Sequence, residues 1–288
     1  MSVKTASLCF IGVLALATAG ATASAPQAQS AALLDKFDFR EKSATHVELP
    51  RALQEISGLA VTSDGRVFAH GDERAIVVQI DACAAKAVKS FALGAPPVRG
   101  DFEGIAVVGE RFFLITSNGQ LYEFRDGPDA SAVPFSVRDT GFGKVCEIEG
   151  LAYDPDDRVL LMGCKQPLRR EERPAINVLR WSLDRSAAAA PPSLTIPLGD
   201  VAKRVGGKAF HTSAIERDAR SGHNLLVAGP ERVIAEVTAK GSFVAAHELR
   251  RALHPQPEGL TLLGDSVLVI GDEGANGRAS ITCYRRQR

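Results

Sequence analysis

Four times the chain writes a short polar stretch that ends in a glycine and an apolar run. The copies are Glu55-Ile56-Ser57-Gly58-Leu59, Asp101-Phe102-Glu103-Gly104-Ile105, Glu147-Ile148-Glu149-Gly150-Leu151 and Gln256-Pro257-Glu258-Gly259-Leu260. His211-Thr212-Ser213-Ala214-Ile215 is a degenerate fifth. Gly58, Gly104 and Gly150 are spaced 46 residues apart, Ala214 follows Gly150 by 64 residues, and Gly259 follows Ala214 by 45. A long regular period signals a repeat architecture, because each copy is one supersecondary unit that buries its apolar face only by stacking on its neighbours.

Each repeat reads as short strands separated by turns. The first gives strands at 56–61, 66–69, 75–80 and 88–93; the second gives 105–108, 111–116, 120–124 and 133–137. Ser63-Asp64-Gly65, Ser117-Asn118-Gly119 and Asp126-Gly127 supply the turn chemistry. No helical periodicity is legible beyond the first residues. Four strands in a repeat of about 45 residues predict the blade of an all-β propeller. A β-sandwich does not explain E-x-E-G at a regular spacing. The last repeat, with strands at 256–262, 266–270 and 279–284, is one strand short. The segment 45–49 alternates like a strand and has no blade of its own, so pairing it there closes the ring and removes two exposed sheet edges. Five blades follow. A sixth, hidden around 187–207 in the long third interval, is the alternative, although an excess of roughly 18 residues is short for a blade.

Lys4 followed by an apolar run over 8–19 and by Ala21-Thr22-Ala23 reads as a signal peptide cleaved after Ala23. The run is shorter than the roughly 20 apolar residues that span a bilayer. The expected organisation is a signal peptide over 1–23, a tether over 24–43 and one propeller domain over 44–288, with no transmembrane span in the mature chain. An exported protein, periplasmic or secreted, is expected, and a monomer. The 34 basic and 34 acidic residues balance, which argues against a nucleic-acid partner. The expected partner is a small polar ligand or another protein.

In a propeller the innermost strand of each blade starts on the face where the second strand ends. Three residues before the repeat glycine stand Glu55, Asp101, Glu147, His211 and Gln256; one residue before it stand Ser57, Glu103, Glu149, Ser213 and Glu258. A spacing of two puts each pair on one side of its strand. The second strands end in Asp72-Glu73, Ser117-Asn118, Cys164-Lys165, Pro230-Glu231 and Asp272-Glu273. Like charges gathered at one opening raise each other's pKa or demand a cation. Oxygen ligands from Glu103, Glu149, Glu258, Glu55, Asp101, Glu147, Asp72, Asp272 and Glu273 suit calcium better than zinc, so a hydrated calcium ion is the expected cofactor. Asn118, Lys165 and His211 are candidate ligand-binding groups, and His211 and Lys165 are the candidates for catalysis. Acidic residues at strand ends also cap turns or pair with arginines, and Arg74, Arg99 and Arg232 are available for that. There is no G-x-S-x-G elbow, no H-E-x-x-H and no P-loop.

Cys146 and Cys164 lie on either side of the turn Asp154-Pro155-Asp156-Asp157, and a hairpin folded at residue 155 sets them directly across from each other. A Cys146–Cys164 disulfide is predicted, two buried thiols being the alternative. Cys83 and Cys283 fall in neighbouring blades once the ring closes, and no register argument joins them.

The run E-I-S-G-L-A with Asp72-Glu73, then D-F-E-G-I-A with Ser117-Asn118-Gly119, resembles the SdiA-regulated (YjiK-like) family. Glu149-Gly150-Leu151 with Lys165, and Glu258-Gly259-Leu260 with Asp272-Glu273, extend the likeness over residues 45–284. The resemblance implies an exported or membrane-anchored β-propeller that is associated with calcium and has no firmly established activity. Ser213-Ala214 departs from the pattern, which implies a ligand ring that is incomplete in the fourth repeat. Phytase-like and esterase-like propellers share this style of opening, an architectural likeness. The leading expectation is an exported propeller that binds calcium, and with it a polar ligand, at the mouth of its channel. A calcium-dependent phosphoester hydrolase assisted by Lys165 or His211 is one alternative. A protein-interaction scaffold is the other, so whether the chain is an enzyme stays open.

Overall fold

Five sheets, each with four antiparallel strands and the first with a fifth strand added in parallel, make a five-bladed β-propeller. The computed structural model describes residues 32–172, 175–184, 193–207, 209–274 and 277–287. The predicted signal peptide and residues 24–31 of the predicted tether therefore lie outside the described residues. Blade 1 runs Ile56–Val61, Val67–Gly71, Ile76–Asp81 and Lys86–Leu93 from the axis outward. Blade 2 runs Phe102–Val108, Arg111–Thr116, Gln120–Arg125 and Phe135–Asp139, and blade 3 Cys146–Asp154, Val159–Pro167, Ala175–Ser182 and Leu194–Pro197. Blade 4 runs Thr212–Asp218, His223–Ala228, Val233–Thr238 and Phe243–Glu248. Blade 5 has Pro257–Leu263, Val267–Asp272 and Ser280–Arg285, and its outer strand is Ala44–Glu48. Ala44 faces Tyr284 and Glu48 faces Ser280, so the N-terminal strand closes the ring as its alternation predicts.

The long third interval is not a blade. It holds the outer strand of blade 3 and a helix, Leu198–Val205, which differs from the expectation of no helix in this region. Leu198, Val201 and Val205 share one face of the helix and pack with Ile196 and Phe243 in the seam between blades 3 and 4. Gly206, with φ 72°, ends it. The predicted strand 133–137 is also split, at Pro134, whose ring has no N–H for a ladder. Ser131–Val133 crosses over to pair in parallel with the outer strand of blade 1, while Phe135–Asp139 stays in blade 2.

The core is a set of seams between blades. Phe68, Phe102, Phe112 and Phe124 fill the one between blades 1 and 2, with the Phe68 and Phe112 ring centroids 4.9 Å apart, edge to face. Ala32, Leu33, Leu34 and Phe37 are buried in the seam between blades 4 and 5, where Leu34 N donates to Glu236 Oε2 at 2.9 Å. From residue 32 onward the predicted tether is thus part of the packed domain.

At the axis the inner strands approach closely. A Cβ on Gly104 would sit 2.6 Å from Leu151 N and 2.8 Å from Gly150 C, far inside contact distance. Gly150 adds φ +82°, a backbone conformation that side chains disfavour, and a Cβ there would lie 2.8 Å from Ile215 N. Gly104 and Gly150 are a consequence of this close approach, whereas a Cβ on Gly58 would run into the His70 ring and one on Gly259 would meet the Leu59 side chain at 2.9 Å.

Two cysteine pairs lie at disulfide distance. Cys146 and Cys164 have Cα atoms 5.8 Å apart, and Cys83 and Cys283 5.9 Å. The hairpin register differs from the expected one: Ile148 faces Cys164 and Cys146 faces Pro167, so the first pair meets diagonally through an irregular stretch of ladder. The second pair ties the turn after the third strand of blade 1 to the third strand of blade 5, across the closure of the ring.

Candidate functional site at the axial mouth

One local irregularity recurs in all five blades. The register between the first and second strands shifts between Ile56 and Gly58, Phe102 and Gly104, Ile148 and Leu151, Thr212 and Ala214, and Pro257 and Gly259. Ser57, Glu103, Glu149, Ser213 and Glu258 are the residues at these bulges. A bulge inserts one unpaired residue and re-aims its side chain, and such features are over-represented beside sites. Strict alternation from Glu55, Asp101 or Glu147 therefore does not carry through to the next polar residue.

The three glutamates each have an internal partner. Ser57 Oγ donates to Glu103 Oε2 at 2.9 Å, joining blades 1 and 2. Lys165 Nζ donates to Glu149 Oε1 and lies 3.5 Å from Glu147 Oε1. Gln256 Nε2 donates to Glu258 Oε1 at 3.0 Å and also to Glu273. Ser213, which like Ser57 stands where the other three blades have a glutamate, donates to the Pro257 carbonyl oxygen at 2.7 Å.

Burial and mutual repulsion hold these carboxyls above their ordinary range. Glu103 is pushed up to about 9, first by burial and then by the charges of Glu149 and Asp101, against the Ser57 hydrogen bond. Glu258 rises to about 8 by burial, with Glu273 and Glu149 adding to it and Gln256 and Lys165 opposing. Glu149 reaches about 7, because burial outweighs its bond to Lys165. Burial would lower Lys165, but the hydrogen bond to Glu149 and the charges of Glu149, Glu147 and Glu103 outweigh it and raise the ammonium above the ordinary lysine value. At the rim, Glu55 is raised chiefly by the charge of Asp72, with burial and the charges of Glu73 and Glu273 adding to it. Asp72 and Glu273 are raised chiefly by burial. The charge effects cross blades: Glu103 is raised by Glu149 and Glu258, Glu258 by Glu149, and Glu55 by Glu273.

Other predicted site residues have different surroundings. Asp272 is fully buried, 2.8 Å from His254 Nδ1, and its other oxygen accepts from Gln256 N at 3.2 Å. His254 Nε2 in turn lies 2.7 Å from the Tyr284 hydroxyl. Asp272 thus braces the strand beneath Gln256. His211 is held by Glu231, which accepts from its backbone N at 2.9 Å and lies 2.7 Å from Nδ1. Asn118 is exposed and accepts from Thr116 Oγ1 at 2.6 Å within its own turn. Asp101 accepts from Ser117 Oγ. Sequence reasoning missed His254 and the bridging role of Gln256. His70 is fully buried against Gly58, with its Nε2 unpartnered among the described residues.

The donor set is oxygen-rich and suits a hard cation. As the carboxylates stand, however, no three His, Cys, Asp or Glu side chains among the described residues are close enough to hold a metal directly.

The fold is an all-β propeller of five blades, with Glu149 buried and Glu103 and Glu258 half-buried at the bulges of three inner strands. Among solved structures, Myxococcus xanthus glutaminyl cyclase is similar to it, with a TM-score of 0.56 at 16% identity, covering 85% of this chain and 97% of that one. A luciferin-regenerating enzyme gives 0.53 at 9% identity, with 85% and 97% covered. At these identities the likeness is one of fold. No family model matches the chain, and no curated protein does.

Proposed function

We propose that this chain is a ligand-binding propeller whose mouth takes a hydrated calcium ion and, beside it, a small polar ligand. One observation carries the reading: Glu149 is buried, Glu103 and Glu258 from two other blades are half-buried, and the charge of Glu149 helps to raise the carboxyls of both. Desolvated carboxyls that share a space are stabilised by a cation that neutralises them. Glu103, Glu149 and Glu258 would hold the ion, with Glu147 and Glu273 as outer partners, and its bound charge would orient an anionic or polar group of the ligand. Membership of the SdiA-regulated family and export belong to the same proposal. The cysteine pairs at disulfide distance support the export, since such bonds persist in oxidising compartments. Among the described residues no helix is long and apolar enough to cross a membrane.

A second reading is an acid–base enzyme. Glu103 is protonated at neutral pH, and Glu149 titrates near it, so the mouth can both give and accept a proton. Phosphoester hydrolysis is the weaker form of this reading, because Lys165, the cation beside the glutamates, is committed to them. Isothermal titration with calcium, against wild type and Glu103→Gln/Glu258→Gln, tests the first reading. We expect saturable binding to wild type and its loss in the variant. A wild-type protein that takes up no calcium at millimolar concentration refutes it.

A further inference from the structure

Five second strands end at the mouth, and four of them bring Asp72-Glu73, Ser117-Asn118, Pro230-Glu231 and Asp272-Glu273. Blade 3 brings Lys165. Its ammonium sits on Glu149 and 3.5 Å from Glu147, with its side chain about one-third exposed (34%) and that of Glu149 nearly closed off (7%). We infer that Lys165 is the resident counter-cation of the mouth, occupying the place between Glu147 and Glu149 that an incoming metal ion would need.

The local fold holds it there. Cys146 precedes Glu147 and Cys164 precedes Lys165, so the pair with Cα atoms 5.8 Å apart ties together the two strands that carry the ion pair. The strands cannot slide past each other without straining that tie, although their ladder is irregular on both sides of Ile148. The electrostatic reach of Lys165 extends beyond blade 3: it is felt at Glu258 and Glu273, and it feels Glu103. A lysine placed this way explains why the glutamates do not close into a direct metal cage. Glu149 faces an ammonium tethered to its own blade, whereas Glu103 and Glu258 have only neutral donors, Ser57 and Gln256. A divalent ion must either displace the ammonium or bind past it, so Lys165 lowers the metal affinity of the mouth and offsets the charge of Glu149 in the metal-free protein. This inference rests on the calcium reading only for the competition; the ion pair stands without it.

A double-mutant cycle separates the two. Melting in chelator is measured for wild type, Lys165→Gln, Glu149→Gln and the double variant, followed by calcium titration of wild type and Lys165→Gln. Lys165→Met, which keeps the packed stem, is run in parallel in case glutamine prevents folding. Removing Lys165 should lower the midpoint by leaving Glu149 unpaired, and adding Glu149→Gln should recover it. Lys165→Gln should bind calcium roughly fivefold more tightly than wild type, the scale of one partly exposed charge pair. Failure of Glu149→Gln to rescue either lysine variant overturns the inference, since a merely packing role predicts that result. So does calcium affinity that is unchanged or weaker in Lys165→Gln. Rescue without calcium binding in either protein upholds the resident cation and removes the calcium reading instead.

Discussion

Replacing Glu103 by glutamine should stabilise the metal-free protein at pH 8 and flatten its pH dependence. The ordinary value of such a carboxyl is 4.5, and in the fold it is pushed to about 9. Because the folded value is raised, the favourable contribution of the protonated group is complete below pH 4.5. It is lost progressively as pH rises toward 9, because the folded state binds the proton that the unfolded chain has released. Each pKa unit corresponds to 1.36 kcal/mol, so the interval up to pH 8 spans about 4–5 kcal/mol. Half of that is a realistic gain, because Glu149 and Glu258 still repel each other when Glu103 is neutral and water reaches the opening. About 2 kcal/mol remains, or a rise in melting temperature of about 4–8 °C for a domain of this size. The amide oxygen can still accept from Ser57, so no buried donor is orphaned. Thermal melts of both proteins in chelator, from pH 5 to pH 9, read the effect directly. Wild type should lose stability across that range more steeply than Glu103→Gln. Equal slopes, or a variant that melts lower than wild type at pH 8, would refute the burial of an uncompensated carboxyl at the axis.

Gly104→Ala places a methyl against the Leu151 backbone at 2.6 Å and should cost about 1–3 kcal/mol, read from the urea midpoint. A variant as stable as wild type would mean that the inner strands do not meet there. Serine at Cys83 and Cys283 releases a closure spanning 200 residues, whereas serine at Cys146 and Cys164 releases one spanning 18. The chain-entropy account puts these at roughly 5 and roughly 3 kcal/mol, so the first variant should have the lower guanidinium midpoint, and the reverse order would count against a latch at the ring closure.

The blades were legible because their signals are local. Apolar alternation, turn residues and a repeat glycine that recurs at intervals of 46 residues in the first three repeats survive in a linear reading, and the unpaired strand at 45–49 announced its own partner. The helix Leu198–Val205 had signals too, with apolar residues on one face and Gly206 behind it, yet eight residues are short for a periodicity to stand out. The crossing of Ser131–Val133 into blade 1 had none, since a proline marks a break and not the direction in which the chain leaves. Asp72-Glu73 and Asp272-Glu273 are the same two letters at equivalent points. Asp72 lies at the rim, while Asp272 is sealed under His254, because only the second has a histidine from the preceding loop to receive it.

By itself the sequence determined the repeat unit and the strand that closes the ring, and it narrowed the blades to five or six, a choice that the structure settled at five. These follow from residue type and spacing, which the chain carries with it. Only the tertiary structure decided which carboxyls are buried, that a bulge turns one residue per blade, and that Lys165 rests on Glu149. Charge interaction and desolvation depend on distances between side chains, some 16 residues apart across one hairpin, as Lys165 and Glu149 are, and others 46 apart in neighbouring blades, as Ser57 and Glu103 are, and those distances exist only in the folded chain.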